Sequence, residues 1–327
     1  MEYARCGRWG LKLPPLSLGL WHNFGDVDDF GEGSRMARAA FEAGVTHFDL
    51  ANNYGPPPGS AEANFGKILK GELAGKRDEM VVSTKAGHGM WEGPYGDWGS
   101  RKHLVASMDQ SLGRMGLEYV DIFYSHRWDP ETPLEETMGA LADFVHQGKA
   151  IYVGISKYPL EEAKQAVGLL DEMGVPCVIY QGRYSMLYRG VEGDGILDWL
   201  IDEGIGFTGF SPLAQGLLTG KYLAGIEAGS RAERAEGFLQ EGEVRGMNEK
   251  VAVLGKIAEE AGYSLHELAL RWAMDQPGVT SLVIGARTVA QLAGSLAVLE
   301  KGPLSAEVRA AIDGVCPAVS SASEGTG

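Results

Sequence analysis

Basic charge is scarce in this chain: 29 Lys and Arg stand against 44 Asp and Glu, a formal net charge of −15 over 327 residues. Such a surface repels phosphate backbones and anionic lipid except where a few cations gather, so a nucleic-acid or membrane-surface binder is excluded while a phosphorylated cofactor in a pocket is not. Cysteine is scarcer still. Cys6, Cys177 and Cys316 lie far apart with no CxxC pair, which rules out a disulfide framework or thiolate metal site and fits a reducing cytoplasm. No apolar run is long enough to span a bilayer, and the first residues lack the apolar core of a signal, so a soluble cytoplasmic chain is expected. The histidines show no paired ligand spacing, so no metal is expected. A G-x-G-x-x-G turn after a strand is also missing, which argues against a Rossmann dehydrogenase.

What the chain does have is repetition of strand and helix signals. Short apolar runs at 16–21, 45–50, 80–85, 119–126, 151–156, 177–181, 206–210 and 280–284 make a set of about eight strands, the number of a closed parallel barrel. Helical spacing separates most of them, as at Leu104, Met108, Leu112 and Met115. Continuous rather than alternating apolar strands imply burial on both faces. The expected fold is therefore α/β, a (β/α)8 TIM barrel preceded by a hairpin in residues 3–13. Asp49, Lys85, His126, Ser156, Gln181 and Ser211 each fall at or just past the end of a different run, and the C-terminal rim is where barrels assemble sites. Long loops at 87–99 and 213–247 belong to the same face and suggest lids or binding loops. Residues 1–316 read as a single domain, and the Ser/Ala/Gly-rich 317–327 as a disordered tail.

Residues 44–55 hold the sharpest chemical signal: an apolar run ends on Asp49 and breaks into a turn that presents Tyr54 beside a glycine. A buried Asp and a turn Tyr are more often structural, but Lys85 and His126 at neighbouring strand ends change the reading. An ammonium beside a phenol lowers the phenol's pKa, Asp49 can hold that ammonium in place, and His126 can orient a carbonyl. Together they form the acid half of a carbonyl reduction, with the hydride left to a cofactor.

The segment around Asp49 and Tyr54, Ser-Thr-Lys ending at Lys85 and Tyr-Ser-His ending at His126 together resemble the aldo-keto reductase superfamily. Within it, residues 52–62, 93–95 with 100–102, Arg127 with 129–131, and 210–221 look most like the branch that holds bacterial L-glyceraldehyde 3-phosphate reductases and potassium-channel beta subunits. The resemblance implies NADPH. It assigns Ser156 and Gln181 to the nicotinamide carboxamide, Phe210 to its ring, and Ser211, Leu213, Gln215, Gly216 and Lys221 to the diphosphate. Ser230 and Arg231 would meet the 2′-phosphate, and Gly285, Arg287 and Gln291 the adenosine. Two departures stand out: Gly294-Ser295 replaces the usual Glu-Asn, and Lys157 replaces a smaller polar residue beside the carboxamide. Read alone, Lys221 and Arg231 would be solvated surface charges.

Trp21, directly after the first strand, is expected in the substrate pocket, and Arg127, Arg101 and Lys102 are the basic residues placed to meet a phosphorylated substrate. The substrate implied is a small carbonyl compound such as glyceraldehyde 3-phosphate or methylglyoxal, and the assembly a homo-oligomer, tetramer or octamer. The alternative is a nucleotide-binding redox sensor of the channel-beta kind with slow turnover. A phosphosugar isomerase or hydrolase would want a carboxylate pair or metal cluster at the rim, which the chain lacks.

Overall fold

The computed structural model describes residues 1–221 and 241–323, with side chains of 241–245 left aside. Eight parallel strands close into a barrel: β3 (Leu16–Gly19), β4 (His47–Asp49), β5 (Val81–Ala86), β6 (Val120–Ser125), β7 (Ala150–Ser156), β8 (Cys177–Arg183), β9 (Gly206–Phe210) and β10 (Val279–Ile284), the last pairing back with the first. The expected eight-stranded barrel is the observed fold. Individual ends differ slightly: the first strand stops at Gly19, and the sixth runs on to Arg183.

The outer layer comprises α1 (Phe30–Glu42), α2 (Ser60–Lys70), α3 (Arg101–Met115), α4 (Leu134–His146), α5 (Leu160–Glu172), α6 (Gly190–Gly193), α7 (Ile196–Glu203), α8 (Glu241–Glu260), α9 (Leu265–Met274), α10 (Val289–Leu296) and α11 (Ala306–Val315). Local chemistry starts several of them. Asp29, Ser100, Thr288 and Ser305 accept backbone N–H bonds at helix N-termini, and Ser264 with Glu267 makes a reciprocal capping box before α9, each satisfying donors the helix cannot. The apolar stripe of α3, Leu104, Met108, Leu112 and Met115, is buried as its spacing predicts. Because α8 begins at Glu241, the long excursion after β9 ends sooner than the sequence suggested.

A short antiparallel hairpin, β1 (Ala4–Arg5) and β2 (Lys12–Leu13), covers the N-terminal end of the barrel. Cys6, Leu11 and Leu13 pack there with Ile122, Tyr124, Val178 and Ile179, and Arg8 N donates to Gly204 O at 2.9 Å. With that end plugged, the C-terminal mouth is the open one. At the other terminus, Ser320 Oγ donates to Asp194 Oδ1 at 2.6 Å and Ser321–Ser323 forms a short 3-10 turn. The three thiols are free and buried, and burial raises Cys6 and Cys177 to about 12. No helix among the described residues is long and apolar enough to cross a membrane.

Candidate active site

Register decides which side chains meet. Asp49 pairs with Ser83, Lys85 with Tyr124, and Ser156 with Gln181, so residues distant in sequence share one layer near the mouth. At its centre the Lys85 ammonium donates to Asp49 Oδ2 at 2.7 Å and to Leu50 O at 2.6 Å, and both charged side chains are almost wholly buried, at 0% and 2% exposed. Ser83 and Gln181 donate to the other carboxylate oxygen at 2.6 and 3.2 Å. A buried ion pair persists only when its remaining hydrogen-bonding capacity is met in this way. Burial lowers the Lys85 pKa and the Asp49 charge offsets part of that shift.

Behind Asp49 runs a chain of hydroxyls and one imidazole that local sequence did not reveal. His47 lies 2.8 Å from Ser17 Oγ through Nδ1 and 2.9 Å from Ser83 Oγ through Nε2, and Ser17 Oγ lies 2.6 Å from Ser281 Oγ. A carboxylate only accepts, so Ser83 must donate to Asp49 and accept from His47 Nε2–H. In the neutral ring Nδ1 then accepts from Ser17, which accepts from Ser281. Burial keeps the imidazole neutral by lowering its pKa to about 4. The direction of the whole relay thus follows from the charge at its end.

Tyr54 is half-buried, with its ring centroid 5.2 Å from Lys85 Nζ, 6.0 Å from the His126 ring and 6.3 Å from the Trp21 ring. The expected lowering of its pKa is not found. Burial, and then the Asp49 charge, hold the phenol well above its ordinary value. His126 is pushed well below the ordinary imidazole range by burial and by Lys157 and Lys85. Its Nδ1 has no hydrogen-bond partner among the described residues.

The residues expected around a nicotinamide cofactor are distributed along the same rim. Ser156 Oγ is buried without a partner among the described residues, an atom that fits an absent polar ligand. Gln181 reaches Asp49 through its amide nitrogen, and Phe210 ends β9 at the mouth. After it Ser211, Ala214, Gln215 and Gly216 all have positive φ, of 56°, 46°, 57° and 99°, unusual for the three that bear a Cβ and a backbone form that can gather N–H groups into an anion cradle. Leu213 opens the 3-10 turn Ala214–Thr219. A Cβ on Gly216 would stand 2.8 Å from Lys221 Nζ, and its φ of 99° strains any residue with a Cβ, so glycine suits this position.

Farther round, Gly285 follows β10, Gln291 Oε1 accepts from Arg287 N at 2.9 Å, and Ser295 bonds His266 at 3.1 Å. Gln291 and Ser295 are therefore engaged within the α10 region. Ser230 and Arg231 lie outside the described residues.

Two of the three basic residues anticipated for a phosphate, Arg127 and Arg101, are committed elsewhere, while Lys102 is exposed. Arg127 donates to Gly87 O and Asp97, both at 2.7 Å, and stacks over Trp98 at 3.6 Å, while Arg101 pairs with Asp143. Trp91 rests on His103. Among the described residues no His, Cys, Asp and Glu cluster could hold a metal.

Comparison with known proteins agrees with this geometry. The model of the Aldo/keto reductase family matches residues 15–316. The chain is 51% identical over 322 residues to an L-glyceraldehyde 3-phosphate reductase of Escherichia coli (strain K12), covering 96% of this chain and 92% of that protein. It is 36% identical over 310 residues to a probable voltage-gated potassium channel subunit beta of Arabidopsis thaliana, covering 93% of each. A counterpart of the same description from Oryza sativa subsp. japonica is 35% identical over 308 residues, again covering 93% of each.

Proposed function

The chain belongs to the aldo/keto reductase family, and on that premise we propose that it reduces a short aldehyde or ketone to the alcohol with NADPH, Tyr54 acting as general acid. The observation that carries this reading is the juxtaposition of Tyr54 with the buried Lys85–Asp49 pair (2.7 Å) and with His126. A phenol held protonated can transfer its proton to an alkoxide, which is a far stronger base than the phenolate left behind. The nearby Lys85 ammonium then stabilises that phenolate. His126, kept neutral, can donate one N–H to the carbonyl oxygen without competing as the acid.

Ser156 and Gln181 would hold the carboxamide, Phe210 would face the ring, and the cradle from Ser211 to Lys221 would take the diphosphate. Bound NADPH supplies the hydride that no side chain can. Trp21 would wall the substrate side of Tyr54. Buried free thiols suit the reducing cytoplasm assigned to the chain.

The relative named L-glyceraldehyde 3-phosphate reductase makes glyceraldehyde 3-phosphate the first substrate to try. The names of the relatives at 36% and 35% identity support a second reading, a redox-sensing subunit with slow turnover. Fluorescence titration with NADPH, followed by single-turnover mixing with glyceraldehyde, its 3-phosphate and methylglyoxal, separates the two. Rapid oxidation of bound NADPH by one carbonyl supports the reductase. Tight binding with only slow oxidation by all three favours the sensor, and absence of NADPH binding removes both.

A further inference from the structure

We propose that Lys157 receives an oxyanion carried by the substrate, a phosphate ester or carboxylate near the carbonyl, and so makes this chain selective for anionic aldehydes. The inference rests on the reductase reading above for the carbonyl end of the substrate, and on separate observations for the anionic end.

Lys157 directly follows Ser156 at the end of β7, and its backbone N–H donates to Gln181 O at 3.2 Å. Its ammonium meets His88 Nε2 at 2.9 Å. The His88 ring stands edge-on to His126 with centroids 4.4 Å apart, and His126 in turn faces Tyr54. The cation is therefore linked through two imidazoles to the phenol, while the residue itself is exposed at the mouth. Lys157 and Tyr54 thus flank the same pair of imidazoles at the mouth.

The electrostatics of the rim lack an anion at this point. Among the described residues, Lys157 bonds a neutral imidazole rather than a carboxylate, and the charges that act on it, Arg127 and Lys85, are both positive. Two acids of the rim are already taken: Asp49 by Lys85 and Asp97 by Arg127. A positive focus at the mouth of a chain with net charge −15 concentrates anionic ligands where the rest of the surface repels them. The backbone is also unusual. Lys157 has φ of 56°, a left-handed conformation unfavourable for a side chain with a Cβ and concentrated at functional positions. Lysine is held there with its ammonium turned to His88.

The test uses NADPH-loaded protein with lysine replaced by Lys157→Met, which keeps length and removes charge, and by Lys157→Arg, which keeps charge. The readout is the ratio of kcat/KM for glyceraldehyde 3-phosphate, and separately for glyoxylate, to that for glyceraldehyde. In Lys157→Met the ratio should fall roughly ten- to hundredfold, the value of one charge-assisted contact, and Lys157→Arg should recover most of it. A larger fall for one of the two anions identifies whether phosphate or carboxylate is the ligand group. An unchanged ratio overturns the proposal, as does an equal loss on all three aldehydes.

NADPH affinity is measured alongside. A loss of cofactor affinity matching the loss in turnover reassigns the lysine to the cofactor and also overturns it. If no aldehyde is reduced, the reductase reading fails by itself, and calorimetry with inorganic phosphate decides the lysine separately. Weaker phosphate binding in Lys157→Met sustains the anion site, and equal binding removes it.

Discussion

Replacing Lys85 by methionine tests whether the buried ion pair is held as a unit. The two charges are 2.7 Å apart with almost no solvent contact. At an effective dielectric constant of about 20 their attraction is about 6 kcal/mol, most of which offsets the desolvation of both groups. Lys85→Met removes the attraction but leaves the Asp49 carboxylate buried, still accepting from Ser83 and Gln181. An unpaired buried charge costs about 3–5 kcal/mol. For a chain of 327 residues, an unfolding entropy of about 2 cal/mol/K per residue converts this to a Tm lower by about 4–7 °C. The Asp49→Asn variant strands the ammonium instead and should fall by a similar amount. The double variant removes both charges and should be more stable than the sum of the singles implies, by about 1–3 kcal/mol. Thermal unfolding of the four proteins closes the cycle. Simple additivity, or a Lys85→Met protein as stable as the parent, would refute the reasoning.

Other consequences concern titration and the phosphate cradle. His47 has a folded pKa of about 4 against 6.5 unfolded, so between those values the unfolded chain takes the proton first. Stability is therefore lost as pH falls from 6.5 through 4, by about 3 kcal/mol at 1.36 kcal/mol per unit. Unfolding His47→Phe and parent protein at pH 7 and pH 4 should show that part of the acid sensitivity gone from the variant; equal sensitivity would contradict it. Protein packed around its ammonium, with Arg127 and Lys85, lowers Lys157 to about 8, although the residue as a whole keeps surface open to solvent. With His88 neutral and Asp97 and Asp49 already paired, preference for anionic over neutral aldehydes should decline as pH rises through 8, losing about nine-tenths by pH 9. A flat ratio of kcat/KM across pH 7–9 would count against that. Gly216→Ala would place a Cβ at φ of 99° against Lys221, and fluorescence titration should give NADPH affinity weaker by roughly tenfold.

Much of the fold is legible because parallel barrel strands are buried on both faces and read as uninterrupted apolar runs. The polar residue that ends such a run is conspicuous, which is why Asp49, Lys85, His126, Ser156 and Gln181 could be picked out. The relay behind Asp49 was not legible. His47 sits 30 and 36 residues from its partners Ser17 and Ser83, and only strand register brings the three together. The direction of the Tyr54 shift was misjudged for a related reason. Sequence gives the types of neighbouring charge, whereas the burial of the phenol depends on the closed barrel. Arg127 illustrates the limit at the rim: loop position marked it as a phosphate ligand, but Asp97, Gly87 and Trp98 occupy its guanidinium. Lys157, visible in sequence only as a departure from a smaller residue, is a cation at the mouth with an imidazole for a partner.

Proton donation by Tyr54 is the central claim, and the most direct measurement is the single-turnover rate at which a carbonyl substrate oxidises bound NADPH in the parent protein and in Tyr54→Phe. The account predicts that the variant keeps NADPH affinity within a few-fold while the oxidation rate falls by roughly a hundredfold or more. A Tyr54→Phe protein that binds NADPH normally and oxidises it at the parent rate would contradict the assignment of Tyr54, and with it the roles derived for Lys85 and Asp49.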